Sequence, residues 1–399
     1  MFSMNRTAAG AFVVLALISG PAIGQGAISG NEFNPAISLI LDGQFSRYSN
    51  DAEDYELSGF ALDEEAGLTA EGFSLDESEL NISANVDDWF YGFAGIVFED
   101  DENETEVELE EIYFETLALP AGWTIKGGKF LSAVGYHNSF HPHSWDFADE
   151  PLAYRGMLGG AFTDVGAQIR WVAPADLFLQ IGAEGFRGAS YPAAGSANDG
   201  AGAYSLFVKV GGDAGASHSW KAGISWLGYE ADGWDTDLED GDLSLDGDGD
   251  LLIGELVWKW APDGNARDRN FKFQAEYLYR DEDGGVVTRA QDLESSGDYD
   301  IEQHGFYAQA IYQWRRGWRL GLRYDWVSAD NDVDELGVAT PFDGDDREPQ
   351  RFTAMIDYSH TEFSRLRLQA SRDESSDNGD TQVLLQYQLS LGPHGAHQF

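Results

Sequence analysis

The sequence predicts an all-β fold, a transmembrane antiparallel β-barrel of about 16 strands with no plug domain. Three observations carry this. Short segments of period-two hydrophobicity recur along the chain. The connections between them switch between short and long. Beyond an N-terminal leader, no stretch approaches the roughly 18 apolar residues that a membrane-crossing helix needs.

The leader comes first. Arg6 precedes an apolar run from Ala8 to Ile18, followed by Pro21, Ala22 and Gly24. A positive start, an apolar core and a small-residue cleavage site in that order predict a secretory signal peptide over residues 1–24, with the barrel over 25–399. The first strand, Asn34 to Tyr48, places Ile37, Leu39, Leu41 and Phe45 on one face and Ser38, Asp42, Gln44 and Ser46 on the other. Around Glu79, Leu80, Ile82, Ala84 and Val86 alternate with Glu79, Asn81, Ser83 and Asn85. Further strands are expected at 89–98, 106–117, 122–131, 164–173, 176–187, 201–212, 218–230, 250–261, 269–281 and 304–315. In the next, 317–328, Trp318, Leu320, Leu322, Tyr324 and Trp326 alternate with Arg319, Gly321, Arg323 and Asp325. Segments 350–360, 362–372 and 381–391 complete the set. Period two over about ten residues suits strands with one face to lipid and one to a lumen.

Even-numbered strands end in short turns such as Asp87-Asp88, Pro120-Ala121 and Pro174-Ala175. Odd-numbered strands end in long polar connections, including 49–74, 132–163, 231–249 and 282–303. Short periplasmic turns and long external loops are the pattern of bacterial outer-membrane barrels, and an even strand count puts both termini in the periplasm. Tryptophans near strand ends suit interfacial girdles against outer-membrane lipid.

Composition narrows the function. The 399 residues include no cysteine and carry a formal charge of −46, most of it in the long connections. No disulfide scaffold or thiolate metal site is available. Nucleic acid is repelled by such a surface, whereas cations are concentrated near it. The acidic loops also read simply as a solvated exterior. Barrels of sixteen to eighteen strands leave an aqueous lumen, and the expected inward positions, among them Gln168, Arg170, Glu184, Lys221, Lys272 and Gln309, are polar.

Arg319, Arg323, Arg351, Arg365 and Arg367 fall on the lumen face of the last strands, with Arg315 at a turn that blurs its phase. They form a pore-lining arginine wall that faces Glu79, Glu108 and Glu110 and the loop acids Asp146, Asp149 and Glu150. Either this sets a transverse field across a constriction, or the arginines only pair with Asp325, Asp357 and their neighbours. The third long loop holds the chain's one concentration of chemistry, with His137, His141, His143 and Asp146 inside ten residues. Imidazoles with a carboxylate make a candidate zinc, copper or nickel site, while hydrogen-bonded loop histidines are the plainer alternative. A second pair, His394 and His397, lies near the C-terminal Phe399. The Asp246-to-Asp250 run has calcium-like spacing but lacks the closing Glu of an EF-hand loop. Ser139 or Ser144 with a nearby His and Asp146 has the residue types of a hydrolase triad without a nucleophile elbow, so no enzymatic activity is expected.

The Glu106–Pro120 and Lys126–Phe130 runs and the His137–Phe147 loop, with Phe33-Asn34-Pro35 and the C-terminal Gly395–Phe399, resemble a proteobacterial family often labelled zinc-regulated TonB-dependent outer membrane receptors. That resemblance implies a link to zinc. The TonB half of the label requires a plug ahead of a barrel of about 22 strands, whereas here the first strand begins some ten residues after the expected cleavage site. The expectation is therefore a plugless porin-like channel for small solutes. It prefers cations and is linked to zinc or other divalent metal. The alternatives are a porin for an organic solute such as a carbohydrate, or a surface binding barrel. A homo-oligomer is compatible with each.

Overall fold

The computed structural model describes residues 35–392, apart from 64–65, 76, 102–103, 195–199, 239–240, 291–292, 337–338, 343–346 and 376–378. The signal peptide, Phe33-Asn34, His394, His397 and Phe399 lie outside the described residues.

The strands are β1 (Ala36–Arg47), β2 in two pieces (Gly72–Leu75 and Ser78–Asn85), β3 (Phe90–Asp101), β4 (Glu104–Thr116), β5 (Trp123–Leu131) and β6 (Thr163–Val172). They continue as β7 (Phe178–Phe186), β8 (Ala203–Ala214), β9 (His218–Leu238), β10 (Gly241–Trp260), β11 (Asn270–Ala290) and β12 (Leu293–Arg315). The last are β13 (Trp318–Val333), β14 (Gln350–Thr361), β15 (Ser364–Asp373) and β16 (Asp380–Leu391). Both pieces of β2 pair with β1, so they make one interrupted strand. Each strand is antiparallel to the next, and β1 pairs with β16 from Leu39 opposite Leu391 to Arg47 opposite Val383. The sixteen-stranded barrel is closed. Closure leaves no sheet edge, the condition for crossing hydrocarbon with strands.

The predicted phase holds in β13, where Leu320 and Leu322 face outward and Arg323, Asp325 and Val327 are buried inside. The outer belt continues through exposed Ile224, Leu252, Leu256, Phe352, Leu366 and Leu385. Short turns close by local chemistry. Asp87 Oδ1 accepts the amides of Trp89 and Phe90, at 2.8 and 2.9 Å. A Cβ on Gly317, whose φ is +77°, would meet Ser359 O at 2.4 Å, so this tight turn has room only for glycine.

Two expected loops are corrected. The described residues of 231–249 and 282–303 do not form irregular connections. They prolong β9 to β12 into long hairpins whose strands have 21, 20, 21 and 23 residues, where about 9–11 cross a bilayer. The alternation persists with a changed outer face: Leu243, Leu245, Val286 and Ile301 pack inward, while Asp246, Asp248 and Asp250 stand outside. Beyond lipid the outer face meets water, so acids replace leucines and the stretch reads as polar loop. The calcium-like Asp246-to-Asp250 run is therefore extended strand.

The interior also differs from a uniformly polar lumen. The third loop, 132–162, folds into the barrel with two 3-10 turns, His137–Ser139 and Pro142–Ser144, and the helix α1 (Leu152–Leu158). Leu152, Ala153, Met157 and Leu158 join Leu57 and Phe60 of the first loop against inward Leu227, Leu251, Ile253, Leu278 and Val327. One side of the barrel is thus a dry core rather than open water.

Candidate functional site

The third loop is held by anchors spaced around the wall. Glu184 of β7 accepts Ser132 Oγ (2.5 Å) and the Ala133 amide (3.0 Å). Lys209 of β8 donates to Gly135 O at 2.7 Å, and Glu276 of β11 accepts the amides of Tyr136 and His137 at 2.6 and 3.0 Å. Buried backbone groups thereby find partners in strand side chains.

The arginine wall supplies the opposite clamp. Arg319 reaches Asp146 at 2.8 Å and Asp357 at 2.5 Å. Arg323 pairs with Asp149 (2.8 Å) and Asp325 (2.9 Å), and Arg351 with Asp149 (2.9 Å). Arg365 donates to the His143 carbonyl at 2.8 Å, and Arg367 to the Trp145 carbonyl at 2.7 Å. All five expected arginines face inward and meet the loop. Arg315 is exposed at its turn, outside this wall. Asp146 and Asp149 are closed into direct pairs with Arg319, Arg323 and Arg351, so the wall does not stand across open space from them.

The four expected metal ligands separate into two groups. His137 is buried, its ring 4.5 Å from that of Trp145 and 4.8 Å from that of Tyr154. Burial pushes its imidazole well below the usual range, and Arg323 and Lys272 add to that. Asp146 is taken up by Lys272 (2.9 Å) and Arg319. His137 is enclosed by aromatic rings and Asp146 is held by two cations, so neither joins the other two histidines. Of the hydrolase-type residues, Ser139 Oγ donates to Gly135 O at 3.4 Å and Asp146 serves those cations.

His141 and His143 instead lie together, their rings stacked 5.7 Å apart, against carboxylates of β2 and β4. His141 Nδ1 is 3.0 Å from Glu110 and 3.8 Å from Glu79, while its Nε2 is 2.9 Å from Glu111. His143 Nδ1 is 2.6 Å from Glu79. Burial pushes the His141 imidazole down, but Glu110 and Glu79 outweigh it and hold the group well above the usual histidine range.

Glu111 was missed by the sequence reading. In β4 the register against β3 slips between Gly95 and Ile96, so that Gly95 faces Glu111 and Ile96 faces Leu109. Glu110 is the extra residue of a β-bulge. Strict alternation would send one of two consecutive glutamates into lipid, whereas the bulge turns both inward around His141. The signal was present, because the outward residues run Val107, Leu109, then Ile112 and Phe114, a step of three amid steps of two.

Between the loop and the opposite wall a cavity of about 270 Å³ remains. Its lining includes Glu99, Glu108 and Glu110 from the wall and Asp149 and Glu150 from the loop. Lys129, also on that wall, is paired with Glu108 at 2.6 Å.

No family model matches the chain. It is 31% identical over 392 residues to a protein of Aquifex aeolicus (strain VF5) described as uncharacterized, spanning 92% of this chain and 80% of that one. Among solved structures it is similar to OmpT, an outer-membrane protein of Vibrio cholerae in a trimer form, with 9% identity, a TM-score of 0.53, and 90% of this chain and 99% of that chain covered. It is also similar to the outer-membrane channel DcaP of Acinetobacter baumannii, with 14% identity, a TM-score of 0.52, and 90% and 97% covered. These likenesses carry the porin-type barrel fold. The zinc-linked and TonB-linked label stays an expectation of the sequence.

Proposed function

This chain belongs to the same family as the Aquifex aeolicus protein, and we propose that it is an outer-membrane channel for small hydrophilic solutes that favours cations. The observation that carries the preference is the use of the arginines. Arg319, Arg323 and Arg351 are each bound to carboxylates, and Arg365 and Arg367 to loop carbonyls. The cavity itself is lined by an acidic excess: Asp63, Glu77, Glu99, Glu108, Glu110, Asp149 and Glu150 against Lys129 and Arg155, which pair with Glu108 and Glu150. A low-dielectric passage lined by an excess of one sign of charge concentrates the opposite ion. The barrel sits in the outer membrane with both termini in the periplasm, and a trimer like the OmpT form suits it.

Reversal potentials in a KCl gradient across a planar bilayer test this. The sign should favour K+, and the preference should weaken toward 1 M salt, where the Debye length is only about 3 Å. Anion selectivity would overturn the reading and return the arginine wall to the pore.

A further inference from the structure

We propose that Glu79, Glu110 and His141 form a binding site for one divalent transition-metal ion of the zinc class, at the edge of the cavity. One ligand atom from each residue lies within 4.8 Å of the other two. Ligands at about 2.0–2.2 Å from a tetrahedral ion are roughly 3.3–3.6 Å apart. The 3.0 and 3.8 Å separations from His141 Nδ1 to Glu110 and Glu79 bracket that value. Small shifts admit the ion in place of the proton held there.

The surroundings fit a ligand site as well. Glu111 Oε1 accepts the Leu131 amide at 2.9 Å, which fixes the carboxylate, and Oε2 lies 2.9 Å from His141 Nε2. A carboxylate on the far ring nitrogen holds the proton there, orients the ring and raises the basicity of the nitrogen that ligates. Asn81 Nδ2 donates to Glu79 Oε2 at 2.9 Å, steadying that carboxylate while Oε1 faces the histidines. Arg365 holds the His143 carbonyl, keeping the second imidazole beside Glu79 as a candidate fourth ligand. Glu110 also lines the cavity, giving an ion a way in. Mixed imidazole and carboxylate donors select zinc, copper or nickel over calcium and magnesium, which prefer all-oxygen shells. The proposal rests on the channel reading only for this entry route.

The test is calorimetric titration of the full-length refolded barrel with ZnCl2, alongside Cu2+ electron paramagnetic resonance. Wild type should bind one Zn2+ per chain at this site. Glu110→Gln and His141→Gln should each bind at least about 100-fold more weakly. Glu111→Gln, acting on the ring rather than the ion, should lose about 10–100-fold. Asp248→Asn with Asp283→Asn, on the outer face, should change nothing. Binding that is equal in His141→Gln and wild type, or that falls only in the outer-face variant, overturns the site. Should His141→Gln fail to fold, Glu110→Gln decides: weakened Zn2+ binding with an altered Cu2+ spectrum supports the site, and an unchanged affinity and spectrum refute it. Selectivity in KCl needs no zinc and calorimetry needs no current, so failure of either reading is visible without the other.

Discussion

Arg323 and Asp149 show at residue scale what keeps the third loop inside the barrel. The guanidinium of Arg323 bonds the Asp149 carboxylate, the Asp149 carbonyl and Asp325, and lies 4.8 Å from the centre of the Phe147 ring. Removing one partner of a buried pair costs about 3–5 kcal/mol, because the other charge is left stranded. Arg323→Ala should therefore lower the unfolding temperature seen by gel mobility after heating, and make single-channel currents noisier. Unchanged currents would mean that the loop does not depend on this clamp. The pH response follows from Asp149. Burial disfavours its charged form, but Arg323 and Arg351 outweigh that and hold its carboxyl well below the usual carboxylate range. A depressed carboxyl stabilises the fold above its unfolded value of about 4, and that contribution is lost only as pH falls through the lower folded value. The loop should thus resist added protease equally from pH 7 down to about 4. Release near pH 5 would contradict the pairing.

At the scale of the element, the third loop depends on its root. Gly135 has φ +64°, and a Cβ there would lie 2.1 Å from Tyr154 Oη and 2.7 Å from Glu276 Oε1. Both atoms belong to the anchor that holds Tyr136 and His137. Gly135→Ala combines left-handed strain, of order 1–3 kcal/mol, with displacement of that anchor. A lower unfolding temperature and a larger conductance are expected, and wild-type values for both would show that the root tolerates movement. The bulge in β4 belongs to the same scale. It was legible as a broken step in the outward residues, but what it accomplishes depends on His141 arriving from another element.

For the whole molecule, closure of β1 on β16 sets the two ends of the barrel apart. The short turn at Asp87 lies at one end and the long β9–β10 hairpin carrying Asp248 extends beyond the other. The chain has no cysteine, so single cysteines report without background. Asp248→Cys should react with an impermeant maleimide on intact cells and Asp87→Cys only after lysis. The reverse pattern would invert the barrel, and labelling of both would undo the outer-membrane assignment.

Strand number, strand phase and the short turns could be read directly from the chain. Alternation is a consequence of backbone pleating between adjacent residues, and Asp87 or Gly317 acts on its immediate neighbours. The third loop could be located the same way, and so could the histidines and arginines that matter. Their partners could not. His143 meets Glu79 across 64 residues, and Arg365 meets the His143 carbonyl across 222. Such pairings exist only once the barrel has closed and the loop has chosen a wall. Inside, several carboxylates compete for each cation, and position alone selects among them. For that reason Asp146 is paired with Lys272 and Arg319 while Glu79, Glu110 and Glu111 gather around His141, although the sequence places Asp146 beside the histidines.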